Sequence, residues 1–171
     1  MNLHEELDVA WQELESLSPG EFVARITKIV GSPGVPDEIR EFQLACAHDS
    51  TGSPELAIPG YRRALEAGLS GYENRRAKIQ LASSLRNIGQ VRESVRILMA
   101  ESTTEGDGLD DAVVVFLALA LTDLGQEREA VSRLVHALAD HLPRYTASAH
   151  RYADALNTDQ AATLLEGEED R

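Results

Sequence analysis

Leu117-Ala-Leu-Ala-Leu-Thr-Asp-Leu-Gly125 has two gapless counterparts in the chain, Leu44-Ala-Cys-Ala-His-Asp-Ser-Thr-Gly52 and Leu81-Ala-Ser-Ser-Leu-Arg-Asn-Ile-Gly89. Each is Leu-Ala, six residues, then Gly, and the three glycines fall 37 and 36 residues apart. The agreement runs on past the glycines. Five residues later stand the small residues Ala57, Ser94 and Ala130, and nine residues later the large Tyr61, Leu98 and Leu134. Twelve residues later come Ala64, Glu101 and Ala137, where the second copy departs. A fixed period of this size is the mark of a stacked array, in which each unit buries its apolar face only against its neighbours.

Each copy reads as two helices. In the third, Val114, Leu117, Ala118 and Leu121 follow the helical i, i+3, i+4, i+7 spacing. Gly125 supplies the left-handed backbone that ends a helix at little cost. Val131, Leu134, Val135, Leu138 and Leu142 then mark one face of a second helix, which Pro143 stops. In the first copy Ser53-Pro54 is a helix start, with proline in the first turn. Pro59, which lacks a backbone donor, predicts a kink or a late start there.

A helix–turn–helix unit of this length, with small residues where helices cross, resembles the tetratricopeptide repeat, in a short bacterial-type form. Ala45, Ala82 and Ala118 match that family's small residue in the first helix, and Ala57, Ser94 and Ala130 match the small one in the second. Ala64 and Ala137 match the alanine one turn later, and Tyr61, Leu98 and Leu134 the large residue between. The early aromatic is missing, with Glu41, Lys78 and Val114 in its place, and the closing proline appears only as Pro143. The resemblance implies an all-α fold: an α-solenoid of antiparallel helix pairs wound as a right-handed superhelix. It covers roughly residues 37–143 and speaks to architecture more than to partner.

The flanks read as helical too. Leu3, Leu7, Ala10, Trp11 and Leu14 form a stripe, and Ser18-Pro19-Gly20-Glu21 is a capping box leading into Phe22, Ile26 and Ile29. The expected organisation is therefore a helical pair over 1–36, three repeats over 37–143, and capping helices with an acidic tail over 144–171. Tyr145 to Leu156 and Asp159 to Leu165 are the closing helices of that scheme, and Glu166 to Arg171 the tail.

In the resembled fold, first helices line a concave groove. At 100° per residue the inner face falls ten, six, three and two residues before each glycine. The tenth positions are Phe42, Ile79 and Val115, an apolar ladder; the sixth are Cys46, Ser83 and Leu119; the third are Asp49, Arg86 and Thr122; the second are Ser50, Asn87 and Asp123. Arg76 lies one turn before Ile79. The expected partner-binding set is Phe42, Arg76, Ile79, Ser83, Arg86, Asn87, Val115, Leu119, Thr122 and Asp123, an apolar floor with arginines near its middle. Such a groove would take a protein or peptide segment, setting an acidic or backbone oxygen against the arginines. Whether the chain's own terminal helices fill it stays open at this stage. The runner-up function is self-assembly into a homodimer through end helices around Trp11 or Leu164.

Composition narrows the classes. Acidic residues outnumber basic ones 29 to 16, a formal net charge of −13, which repels phosphate backbones and anionic membranes. Only 5% of the residues are aromatic, so the apolar content is Ala- and Leu-rich and suits helices. The N-terminal sequence lacks the basic-then-apolar order of a secretory signal, and a cytoplasmic protein is expected. The single cysteine, Cys46, excludes an internal disulfide.

No catalytic or metal site is expected, and no cofactor. Cys46 and His48 are two apart on a helix, so their side chains diverge. His136 and Asp140 share a face, but His141 turns away from it, and no glutamate lies between paired histidines as in the zinc-protease pattern. Gly106-Asp107-Gly108-Leu109-Asp110-Asp111 lacks the alternating ligands of a calcium loop; Asp107 as a helix N-cap accounts for it.

Overall fold

The computed structural model describes residues 2–103 and 106–158, and among these the chain forms nine helices and no strand. They are α1 (Leu3–Gln12), α2 (Pro19–Val30), α3 (Asp37–Ser50), α4 (Pro54–Glu66), α5 (Gly71–Asn87), α6 (Val91–Glu101), α7 (Asp110–Asp123), α8 (Glu127–Ala139) and α9 (Thr146–Leu156). The chain divides into two compact units between Glu93 and Ser94, inside α6. The expected closing helix over Asp159 to Leu165, Leu164 as a pairing residue and the acidic tail lie outside the described residues.

The three repeat glycines do one job. Gly52, Gly89 and Gly125 have φ of 79°, 82° and 74°. In each case the residue after the glycine donates its N–H back across the helix end: Ser53 to the His48 carbonyl, Gln90 to Leu85 and Gln126 to Leu121, at 2.8, 2.8 and 3.0 Å. This 6→1 closure satisfies carbonyls that the end of a helix would orphan, and it needs a left-handed residue at the glycine position. The periodicity of the sequence is thus a periodicity of helix stops.

In the first unit, α1 and α2 each begin at a capping box, Asn2 with Glu5 and Ser18 with Glu21. Their shared core is Leu7, Ala10, Phe22, Ile26, Ile29 and Val30, with Trp11 set edge-on to Phe22 at 5.0 Å between ring centroids. Ala47 of α3 closes the same core, so the N-terminal pair packs onto the repeats. Next, α3 packs on α4 and α4 on α5. The helix α4 starts at Pro54 and runs through Pro59, so the late start expected there does not occur. Gly60 explains what the awkward Pro59-Gly60 pair is for: a β-carbon on it would stand 2.9 Å from Ala45 Cβ, so α3 and α4 cross too closely for one.

In the second unit α8 packs between α7 and α9. The start of α7 differs from the expected one. Its first helical residue is Asp110 and its N-cap is Leu109, with no side-chain cap. Asp107 instead accepts the Leu109 N–H at 3.0 Å, and Asp110 the Gly106 N–H at 3.3 Å. The aspartates therefore fold the turn before the helix, because the two glycines, both left-handed, delay the helical backbone by two residues.

The small column of the first helices, Ala45, Ala82 and Ala118, is buried, and so is that of the second helices, Ala57, Ser94 and Ala130. The large column splits. Tyr61 and Leu98 are fully buried, whereas Leu134 is 39% exposed.

Candidate functional site

Three first helices of the N-terminal unit, α1, α3 and α5, enclose a concave cavity of about 550 Å³. Trp11 from α1, Gln43 and Cys46 from α3, and Glu73, Arg76 and Gln80 from α5 line it, with His4, Asp8 and Ser50 at its rim. Trp11 enters because the α1 stripe that buries Leu7 and Ala10 leaves the indole half-buried, with its edge to solvent. Its Nε1–H donates to Gln43 Oε1 at 3.0 Å. Cys46 donates its thiol to Gln80 Oε1 at 3.4 Å. Two amide side chains on neighbouring first helices are thus held in fixed orientation with their NH₂ groups unassigned.

Arg76 lies with its guanidinium 5.4 Å from the centroid of the Phe42 ring. It makes no salt bridge among the described residues. A guanidinium stacked on an aromatic face is held by the ring's quadrupole and keeps its donor fork available to a carboxylate or carbonyl.

Phe42 and Ile79, expected as groove floor, are both buried. Phe42 is sandwiched between Arg76 and Tyr61, whose ring centroid is 6.3 Å away. The apolar ladder therefore does not run across all three copies as a surface. In the first two copies polar side chains lie above it, and only in the third do its members reach solvent, Val115 at 44% and Leu119 at 43%. Of the other expected residues, Ser83 and Arg86 on α5 are half-buried and Asn87 is exposed, as are Thr122 and Asp123 on α7.

A polar tie joins the helices around this floor. Asp49 of α3 accepts a hydrogen bond from Ser84 of α5 at 2.7 Å and one from the Tyr61 hydroxyl of α4 at 3.2 Å. One carboxylate so draws three helices together over Phe42. Burial, with the Cys46 and Asp49 side chains beside it, pushes the Tyr61 hydroxyl far above its ordinary value. Burial likewise pushes the Cys46 thiol up to about 11. Neither group ionises at neutral pH, so Cys46 here is a neutral donor and not a nucleophile.

The histidines of the second unit pair across helices, and His136 reaches α9. Its ring stacks on His150 at 5.0 Å, with the two Nδ1 atoms 2.7 Å apart, so that one donates and the other accepts. Asp154 lies 3.0 Å from His136 Nε2, Asp140 3.0 Å from His150 Nε2, and Asp111 3.0 Å from His141 Nε2. Among the described residues no group of three or more His, Cys, Asp and Glu side chains could hold a metal ion.

Sequence reasoning missed Gln43, Gln80 and the cavity role of Trp11. A signal for the glutamines was present, since each stands nine residues before its repeat glycine.

A family model described as tetratrico peptide repeat matches residues 38–156. A crystal structure of nearly identical TPR-like repeats, assigned to a Podosopora anserina kinesin light chain, superposes with a TM-score of 0.67. It is 19% identical, over 96% of this chain and 92% of that one, a likeness of fold. No curated protein matches the chain.

Proposed function

Because the chain belongs to the tetratricopeptide repeat family, whose repeats generally mediate protein–protein interaction, we propose that it is a non-catalytic interaction module holding a partner segment in the cavity of α1, α3 and α5. The observation that carries this reading is Arg76, stacked on Phe42 and without a salt bridge among the described residues, in a polar concavity of about 550 Å³. The matching ligand is a peptide that brings a carboxylate or a row of backbone carbonyls to the guanidinium. The Gln43 and Gln80 amides would read its main chain, and the Trp11 edge would cover one apolar side chain. Ser83, Arg86 and Asn87 extend the surface along α5. Val115, Leu119, Thr122 and Asp123 offer the corresponding face of α7. No helix among the described residues is long and apolar enough to cross a membrane, and the working location we propose is the cytoplasm.

Panning a random peptide library on the full chain tests this. Enriched peptides should carry an acidic residue or a free carboxylate and should lose at least about tenfold in affinity with Arg76→Glu. Arg76 is half-buried and free of ion pairs, so this variant should fold. Binders indifferent to Arg76→Glu and to Gln80→Ala would place the binding elsewhere. The homodimer stays a second reading, opposed by the self-repulsion of a chain carrying −13.

A further inference from the structure

Among the described residues of the second unit, α8 carries an exposed apolar face at positions where the first unit is buried or half-buried. On α8, Val131, Leu134 and Leu138 follow i, i+3, i+7 and are 46%, 39% and 61% exposed. Their counterparts on α4, at the same distances from Gly52, are Ile58, Tyr61 and Leu65; the first two are buried and the third half-buried. The covering helices differ. The helix α5, packed on α4, brings Ile79, Leu81 and Leu85, all buried. The helix α9, packed on α8, has Tyr152 and Asp154 at the corresponding distances after Gly125, and Thr158 follows just past its end, all three exposed. At these positions Tyr152 turns to solvent and the other two residues are polar, so α9 does not close the face.

Charge says what fits it. Glu127, exposed, sits one turn before Val131 on the same stripe. The second unit, residues 94–171, holds more acids than bases, so the field around the stripe is negative. Of the cations on α8, Arg133 is paired with Glu129 at 2.7 Å, and Arg128 is turned to the Leu156 carbonyl at 2.8 Å. An apolar stripe with Glu127 at its edge, on a chain of net charge −13, repels a second copy of itself and attracts a basic partner.

We propose that Val131, Leu134 and Leu138 of α8, with Glu127 at their edge, form a docking surface for an amphipathic helix of another protein with apolar residues at i, i+3 and i+7 and Lys or Arg on its flanks. This surface is separate from the Arg76 cavity and opposite in the charge it selects, so each reading can fail alone.

The probe is a synthetic Leu/Lys peptide of about 14 residues with helical period, titrated into the full chain by fluorescence anisotropy beside its Leu/Glu counterpart. The Leu/Lys peptide should bind and the Leu/Glu peptide should not. Leu134→Asp/Leu138→Asp should weaken binding by at least about tenfold. Glu127→Lys, a surface change that leaves folding intact, should weaken it severalfold, and Arg76→Glu should leave it unchanged. Equal binding by wild type and the double aspartate variant would mean unspecific attraction to an acidic protein and overturn the proposal. Two other occupants would overturn it as well. If Leu164→Asp/Leu165→Asp raises the affinity sharply, the chain's own C-terminal segment holds the face. If sedimentation shows a dimer that Leu138→Asp dissolves and the peptide does not, a second copy holds it.

Discussion

Gly60→Ala is the change whose sign the structure decides most sharply. In an exposed helix interior, glycine to alanine stabilises by about 1 kcal/mol, because alanine has less backbone entropy to lose. At Gly60 the added carbon would stand 2.9 Å from Ala45 Cβ, 3.4 Å from Ala45 Cα and 3.5 Å from the Glu41 carbonyl oxygen. Carbon pairs prefer roughly 3.5–4.0 Å, so α3 and α4 would have to part by at least roughly half an ångström. Overpacking of this kind costs about 1–3 kcal/mol. Set against the propensity gain, the expected net loss is up to about 2 kcal/mol.

Gly20 is the internal control, since it is also helical but has nothing within 4 Å of its would-be β-carbon. Gly20→Ala should therefore stabilise, so the two substitutions should differ in sign. Urea denaturation followed by Trp11 fluorescence reads the right unit, because Trp11 is the chain's one tryptophan and lies in the N-terminal unit. Ala45→Gly should restore room, so the cycle of Ala45→Gly with Gly60→Ala should show a coupling of about 1 kcal/mol or more. If Gly60→Ala stabilises as much as Gly20→Ala, or the cycle shows no coupling, the close crossing of α3 and α4 is wrong.

The neutral Cys46 thiol has a stability consequence: the folded group titrates at about 11 against an ordinary 9.0, so its contribution is fully present below about pH 9 and is lost as pH rises to about 11. Tyr61 acts in the same direction at higher pH, and urea midpoints measured across this window should fall, less steeply in Cys46→Ala; a flat profile would contradict the burial. Tyr145 holds a left-handed backbone, φ 71°, while its side chain is exposed. Tyr145→Gly should thus stabilise the second unit by about 0.5–1 kcal/mol in thermal unfolding, and an unchanged or lower midpoint would argue against the strain. Ser18→Ala removes the capping box of α2 and should cost about 1 kcal/mol by the same urea assay, with no loss if the cap is idle.

Helix stops and crossings were written plainly in the sequence, because each depends on one local chemistry. Gly52, Gly89 and Gly125 give the left-handed stops, and Ala45, Ala82 and Ala118 the small contacts. The surface of the site was not legible in the same way. Whether Phe42 is floor or core depends on what the next two helices lay against it, and Tyr61 of α4 and Arg76 of α5 do that through contacts no periodicity encodes. The α8 stripe, read as one face of a helix, shows the converse. Val131, Leu134 and Leu138 have the right spacing, but Asp154 of α9 and Thr158 just past its end stand where α5 brings leucines. Amphipathic pattern names the face of a helix and leaves its neighbour unspecified.

Asp49 has an implication for how such a chain can be rearranged. It stands three residues before Gly52, and at the same place the second copy has Arg86 and the third Thr122. The clasp that Tyr61 and Ser84 make on that carboxylate therefore exists at one junction only. Cutting the gene into repeat-length cassettes and rejoining them in another order would leave the Asp49 cassette facing a stranger, with a half-buried acid and two buried hydroxyls unmatched. The helices look like interchangeable bricks, but this joint is a lock with one key, and the order of the copies is part of the information the chain carries.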